Sequence, residues 1–313
     1  MEELTRRDEP GAAEAVAVTS SDSSAAPVGP PASDAIESGH ATPQVVDLVT
    51  RMFADKTSRS VDRTMTHFAP EAVYADATVG WYLPSADAVR AMFAQYMPTW
   101  PASARSYVTR IIGDESGAIV EFTDTPELFG RETRALAIID FRDGKVIRQV
   151  DYWDGRHFGL EAFAEVRVPS MEFPQTFGED MVASQCSPVL GEVAARLNAG
   201  LGKGDVAGLF AEDAVLEDLA LRTRIVGRQA IEAYVGRASA ALPYGSGAAV
   251  LHIVGSEHGG GYEWRNDGVL ADHGIVALEL DSSHKISRFT ATWDGAQLDD
   301  HAIAGLLADT IER

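Results

Sequence analysis

One cysteine, Cys186, occurs in the 313 residues of the chain. An intramolecular disulfide is therefore excluded, as is a metal site built on several thiolates. His258, His273 and His284 have no metal-ligand spacing with one another, and no metal is expected. Long apolar runs are also missing, since no segment approaches the roughly 20 residues a membrane span needs. Arg6-Arg7 is not followed by an apolar stretch. A secretion leader is thus not expected, and the expected location is the cytoplasm. Positive charge is scarce: 26 Lys and Arg face 47 Asp and Glu, for a formal net charge of −21. Such a surface repels phosphate, so nucleic acid and anionic membranes are not expected partners.

The apolar content is that of a globular protein, at 45%, and the length is enough for two domains of ordinary size. Residues 1–42 are rich in Ala, Ser, Pro, Gly, Glu and Asp and lack apolar periodicity. They read as a disordered tail. From Pro43 the pattern becomes helical, with Val46, Leu48, Val49, Met52 and Phe53 at helical spacing and a second short helix up to Phe68. Ala72 to Val79 reads as a strand. Pro84-Ser85-Ala86-Asp87 starts a helix with Ser85 as N-cap. Three strand-like runs follow, beginning at Arg105, Ala118 and Arg134. Asp143-Gly144 is a hairpin signal, and Val146 to Trp153 alternates. Helices followed by an antiparallel meander make an α+β domain over 43–160. Residues 161–186, with Pro169 and Pro174, read as a linker packed on the surface.

Residues 187–313 repeat the first pattern. LFAEDAVLEDLAL answers HFAPEAVYADATV, so Asp218 falls where Asp76 falls. ADHGIVALELDSSHKISRFTATWDG answers RALAIIDFRDGKVIRQVDYWDG, so Asp294 answers Asp154. Ala291 and Thr292 stand where the first copy has Asp151 and Tyr152. Four segments match in the same order at nearly constant offset, which is an internal duplication. Glycines 259–261 read as a turn between strands and not as a phosphate cradle, because no helix follows.

A strand ending in Ala-Val-x-x-Asp, a helix, and a meander closing on Asp-Gly and Tyr-Trp-Asp resemble the SnoaL-like branch of the nuclear-transport-factor-2-like superfamily. The resemblance covers about 43–160 and again 187–310. It implies two tandem cone-shaped α+β barrels, each with a curved, mostly antiparallel sheet packed on helices around an apolar pocket. The superfamily includes polyketide cyclases, ketosteroid isomerase, limonene-epoxide hydrolase and proteins without catalysis. By this resemblance Asp218 corresponds to the isomerase general base and Asp76 is its counterpart. Asp151 and Asp154 lie on the closing strand, which carries acidic pocket residues in relatives. Arg134, Asp140 and Arg148 are raw material for an Asp-Arg-Asp set, but their register does not fit one.

The physical logic does not depend on the family. A carboxylate in an apolar pocket loses water, its charged form is disfavoured, and it becomes able to carry a proton near neutral pH. Asp76 with Asp151 or Asp154 makes such a set, with Tyr74 and Tyr152 as hydrogen-bond donors to a developing oxyanion. Alternation puts Asp154 on the face of Val146, Val150 and Tyr152, which reads as the apolar pocket wall, so Asp154 is the expected partner. Tyr74, Trp81, Trp153, His157 and Trp264 are the expected substrate-contacting residues. His252 and Arg265 are further polar positions in the second copy. The expected activity is cofactor-independent acid/base chemistry on a small hydrophobic molecule: cyclisation, isomerisation, dehydration or epoxide opening. It is expected in the first copy, with the second as packing partner. The alternative is a non-catalytic binding or assembly protein whose two copies pair through their sheets. The sequence leaves a homodimer open.

Overall fold

The structure, a computed structural model, describes residues 36–311. The expected disorder of the tail up to residue 35 therefore lies outside the described residues. The remainder of that tail is not unstructured. Glu37–Ala41 forms strand β1, parallel to β4 (Ser106–Gly113), and Thr42 caps the helix that follows.

Helix α1 (Pro43–Thr57) begins where its sequence directs. The Thr42 hydroxyl accepts from the Val45 amide, and Pro43 occupies the first turn, where no donor is needed. Helices α2 (Val61–Met65) and α3 (Ala86–Tyr96) start the same way, on Ser60 and on the anticipated Ser85. Strands β2 (Phe68–Asp76), β3 (Trp81–Leu83), β4, β5 (Gly117–Asp124), β6 (Thr133–Arg142) and β7 (Lys145–Trp153) complete the first repeat with the short helix α4 (Pro126–Phe129). Asp143 and Gly144 both take positive φ, 51° and 71°, as the tight turn between β6 and β7 requires. The sheet order is β1-β4-β5-β6-β7-β2-β3.

The second repeat has β8 (Gln185–Cys186), α6 (Pro188–Lys203), β9 (Phe210–Asp218), β10 (Thr223–Val226) and α7 (Arg228–Ala238). It closes with β11 (Ala249–Ser256), β12 (Gly259–Arg265), β13 (His273–Leu280), β14 (Ile286–Trp293) and α8 (Asp300–Asp309). Its sheet order, β8-β11-β12-β13-β14-β9-β10, is that of the first repeat position for position. The chain is thus two tandem α+β units.

Each curved sheet has two covered faces. The inner face packs on its own helices, around Phe53, Phe93 and Phe122 in the first unit and Leu197, Tyr234 and Phe289 in the second. The outer faces pack on each other through Ile112, Ile119, Ile138 and Val150 against Val254 and Ile275. Glycines 259–261 lie inside β12 and not in a turn. A Cβ on Gly261 would stand 2.6 Å from Ile119 Cγ1, so side chains there would force the sheets apart.

The segment between repeats is more than a surface linker. It contains helix α5 (Leu160–Val166), which buries Phe163 in the first core, and Phe177 is buried between the sheets.

Candidate functional site

Parallel pairing of β2 with β7 sets Asp76 beside Asp151 and Tyr74 beside Gln149. Parallel neighbours share a face, and this face is the inner one: Asp151 pairs with Ala137 and Trp153 with Ala135, both inner-core residues. The interior of the first unit therefore holds Tyr74, Asp76, Gln149, Asp151 and Trp153 on two adjacent strands. The Tyr74 hydroxyl donates to Asp151 Oδ2 at 2.7 Å, and Gln149 Nε2 donates to Asp151 Oδ1 at 2.9 Å. Trp153 Nε1 donates to Asp76 at 2.9 Å, and the amides of Thr78 and Val79 donate to Asp76 Oδ1. One end of this interior meets solvent: Tyr74, Asp76, Leu83, Met92 and the stacked pair Trp81 and Tyr96 are only half-buried.

Burial governs the electrostatics. It pushes the Asp76 carboxyl up to about 7, with the Asp151 charge adding to the rise, while the Trp153 indole and the two amides pull the other way. Asp151 is raised too, again by burial, and is opposed by the Lys56 ammonium and by the Gln149 and Tyr74 hydrogen bonds. The Tyr74 hydroxyl is held well above its ordinary range by burial and by Asp151. At neutral pH Asp76 is thus divided between acid and carboxylate, the condition for giving and taking protons.

The other half of the alternating strand is displaced from this site. Arg148, Val150 and Tyr152 face the second repeat. The Tyr152 hydroxyl donates to Glu263 Oε1 at 2.7 Å, and Arg148 holds Glu263 and Asp140. Asp154 caps the turn at 155–157 and pairs with Arg156, which also reaches the Ala220 carbonyl. Asp151, not Asp154, accompanies Asp76, and Tyr152 does not line the interior. Both faces of the sheet are buried, so alternation separates the two sets of side chains without saying which set is interior. His157 lies in that same turn, and burial lowers its proton affinity.

The second interior keeps part of the pattern. Trp293 Nε1 donates to Asp218 Oδ2 at 3.1 Å, as Trp153 does to Asp76. The Tyr244 hydroxyl and the Leu221 amide complete its shell, and burial pushes Asp218 up to about 6. Asp218 is 1% exposed, where Asp76 is half-buried. Trp264 is buried there with its indole nitrogen lacking a partner among the described residues. His252 lies outside the interior, bonded to Asp140 at 2.8 Å between the sheets. Arg265 is held at the surface by Asp267.

Gln149, Asp124 and Lys56 are interior residues that the pattern reading passed over. Gln149 sits two residues before Asp151 and shares its face by the same alternation. Lys56 and Asp124 meet only through the fold, at 3.4 Å across 68 residues of sequence. No group of three or more His, Cys, Asp or Glu side chains is arranged to hold a metal among the described residues. No helix among them is long and apolar enough to cross a membrane.

Residues 49–149, most of the first repeat, match the SnoaL-like domain. A protein from Catenulispora acidiphila DSM 44928 with a ketosteroid isomerase-like fold, solved with trimethylamine, is 16% identical. The match covers 42% of this chain and 99% of that one, with a TM-score of 0.33. A Kribbella flavida DSM 17836 protein provisionally assigned as a ketosteroid isomerase is 21% identical over 42% of this chain and 96% of that one, with a TM-score of 0.31. An NTF-2-like protein of unknown function from Burkholderia xenovorans LB400 is 18% identical over 35% and 82% of the two chains, with a TM-score of 0.31. No curated protein matches the chain.

Proposed function

We propose that the first unit is an acid/base site for a small, largely apolar molecule, with Asp76 as the proton carrier. The observation that carries this reading is the setting of Asp76. It stands at the open end of an apolar interior, titrating at about 7, next to a second carboxylate. Asp151 takes the place expected for Asp154, and Tyr74 is the hydroxyl placed to meet a developing oxyanion once it leaves Asp151. Cyclisation, isomerisation, dehydration and epoxide opening all require a proton moved between carbon or oxygen and a positioned group, and none requires a cofactor. Trp81, Tyr96 and Met92 form the apolar rim over which such a molecule would enter.

A second reading has its own support. Asp76 and Asp218 both accept an indole N–H and backbone amides of the turn that follows, so the aspartate holds the fold in each copy. A binding protein without catalysis would keep those bonds and need nothing more.

The test is proton exchange at carbon, followed by NMR in heavy water across a panel of small apolar ketones and epoxides. Asp76→Asn is expected to slow exchange or turnover by about 10²–10⁴-fold, the usual worth of a positioned proton carrier. Asp218→Asn is expected to change it by less than about tenfold, because Asp218 is shielded from solvent. Loss on Asp218→Asn with Asp76→Asn silent would move the site to the second unit. Ligand binding that survives in both variants, with no exchange in the parent, would establish the non-catalytic reading.

A further inference from the structure

The two repeats meet at the turns that follow β2 and β9, where each interior aspartate takes its backbone donors. His273, at the start of β13, crosses from the second repeat to the first. Its Nε2 lies 2.9 Å from the Ala77 carbonyl. A carbonyl only accepts, so Nε2 is the donor. On the other side of the ring, Nδ1 lies 2.5 Å from Asp272 Oδ1, which fixes the ring plane. Burial raises the Asp272 carboxyl, but the His273 bond and the Arg265 charge outweigh it and hold it below its ordinary range. His273 is 9% exposed, with the Phe173 and Phe177 rings at 5.7 and 5.5 Å between centres. Ala77 C=O and Thr78 N–H are two ends of one planar peptide group, and in a trans peptide they point opposite ways. The Thr78 amide donates to Asp76 Oδ1 at 3.0 Å. A single rigid plane therefore joins the His273 ring to the Asp76 carboxyl. A bond at one end orients and polarises the donor at the other.

The second aspartate is braced in the same way by a different residue. Arg156 of the first repeat donates to the Ala220 carbonyl, and the Leu221 amide of that same peptide donates to Asp218 Oδ1 at 2.9 Å. Duplication did not copy either brace. Strand pairing makes Arg134 answer His273, and Arg134 is exposed and bonded to Glu132. Ala296 answers Arg156, as Asp294 answers Asp154, and its side chain has no donor. Two unlike side chains thus reach one geometry from opposite directions.

We propose that the two repeats brace each other's interior aspartate, and that His273 of the second repeat is the positioning residue for Asp76, acting through the Ala77–Thr78 peptide. His273 touches no substrate in this account. Its consequence for turnover rests on the acid/base reading of the first unit, while the brace itself does not. The second copy, whose own aspartate is shielded from solvent, thereby has a part in the first copy's site.

The experiment is amide hydrogen exchange by NMR on the full chain, read at Thr78 and at Leu221. His273→Phe keeps a ring beside Phe173 and Phe177 and removes the donor. It is expected to speed exchange at Thr78 by about tenfold or more and to leave Leu221 within about twofold of the parent. His273→Gln removes the ring and keeps a donor for the Ala77 carbonyl, and is expected to hold Thr78 near the parent rate. A histidine needed only for packing gives the reverse order. Thr78 exchange no faster in the Phe variant than in the Gln variant therefore overturns the proposal. Arg156→Met is expected to give the crossed pattern, speeding Leu221 and sparing Thr78. Equal speeding at both amides in His273→Phe reports general loosening and likewise overturns it. If His273→Phe does not fold, Asp272→Asn decides, since it keeps the ring and removes the carboxylate that orients it. A rise of about threefold at Thr78 alone is expected there, and no rise overturns the brace. The exchange needs no substrate: the crossed pattern in a protein with no turnover would keep the bracing and remove the acid/base function.

Discussion

Asp76 carries two duties that the duplication pulls apart. Its bonds to Trp153 and to the amides of Thr78 and Val79 recur at Asp218 with Trp293 and Leu221, so they belong to the fold. Its adjacency to Asp151 and its access to solvent do not recur. The cost of burying this acid appears as a pH dependence. Asp76 titrates at about 7 in the folded chain, above the ordinary 3.8. The folded state therefore holds the proton more tightly than the unfolded state. The resulting stabilisation is complete below about pH 4 and disappears as pH rises through about 7. Asp76→Asn has no such proton to lose. Its deficit in melting temperature against the parent is expected to shrink between about pH 5 and about pH 8. A deficit that stays constant across that range would mean the carboxyl is not raised.

At the scale of elements, the largest revision concerns β1. Glu-Ser-Gly-His-Ala has no apolar alternation, and composition assigns it to the tail. It becomes a strand because the edge of β4 offers unpaired backbone groups. It also ties the two repeats together: the Glu37 carboxylate meets Arg110 at 3.0 Å and Arg288 at 3.6 Å, and His40 Nδ1 lies 3.0 Å from the His258 carbonyl. Deleting residues 1–40 is therefore expected to lower the melting temperature by about 5 °C, reversing the expectation for a tail with nothing to bury. An unchanged melting temperature would show that β1 adds nothing. Helix α5 and the chain after it were hidden for a similar reason. Phe163 packs into the core of the first unit, while Phe173 and Phe177 pack edge to face on each other between the sheets, partners that no period along the chain announces.

At the scale of the whole molecule, the two sheets lie back to back and bury paired charge networks. Arg148 with Asp140, Glu263 and His252 in one network corresponds to Arg288 with Glu279, Glu121 and Arg110 in the other. The first network is the drier one, since Arg148 and Asp140 are fully buried. Removing one partner of a buried ion pair strands the other without water. Arg148→Met is expected to cost about 3–5 kcal/mol in denaturant unfolding, with part of the loss recovered when Glu263→Gln is added. A cost near zero would mean that water reaches Glu263 between the sheets.

The sequence by itself determined the duplication, the α+β class, the capped start of α3, the hairpin at Asp143-Gly144, and the aspartate that ends β2 and β9. These depend on local chemistry or on comparing one stretch with another, and both are legible along the chain. Only the tertiary structure decided that Asp151 and not Asp154 joins Asp76. In a sheet covered on both sides, inside and outside are equally apolar, and period two carries no label for either. Lys56, Asp124 and Asp151 come from α1, β5 and β7. What brings Lys56 against Asp124 is the closing of the sheet around its helix, a contact between residues too far apart in sequence to leave a pattern.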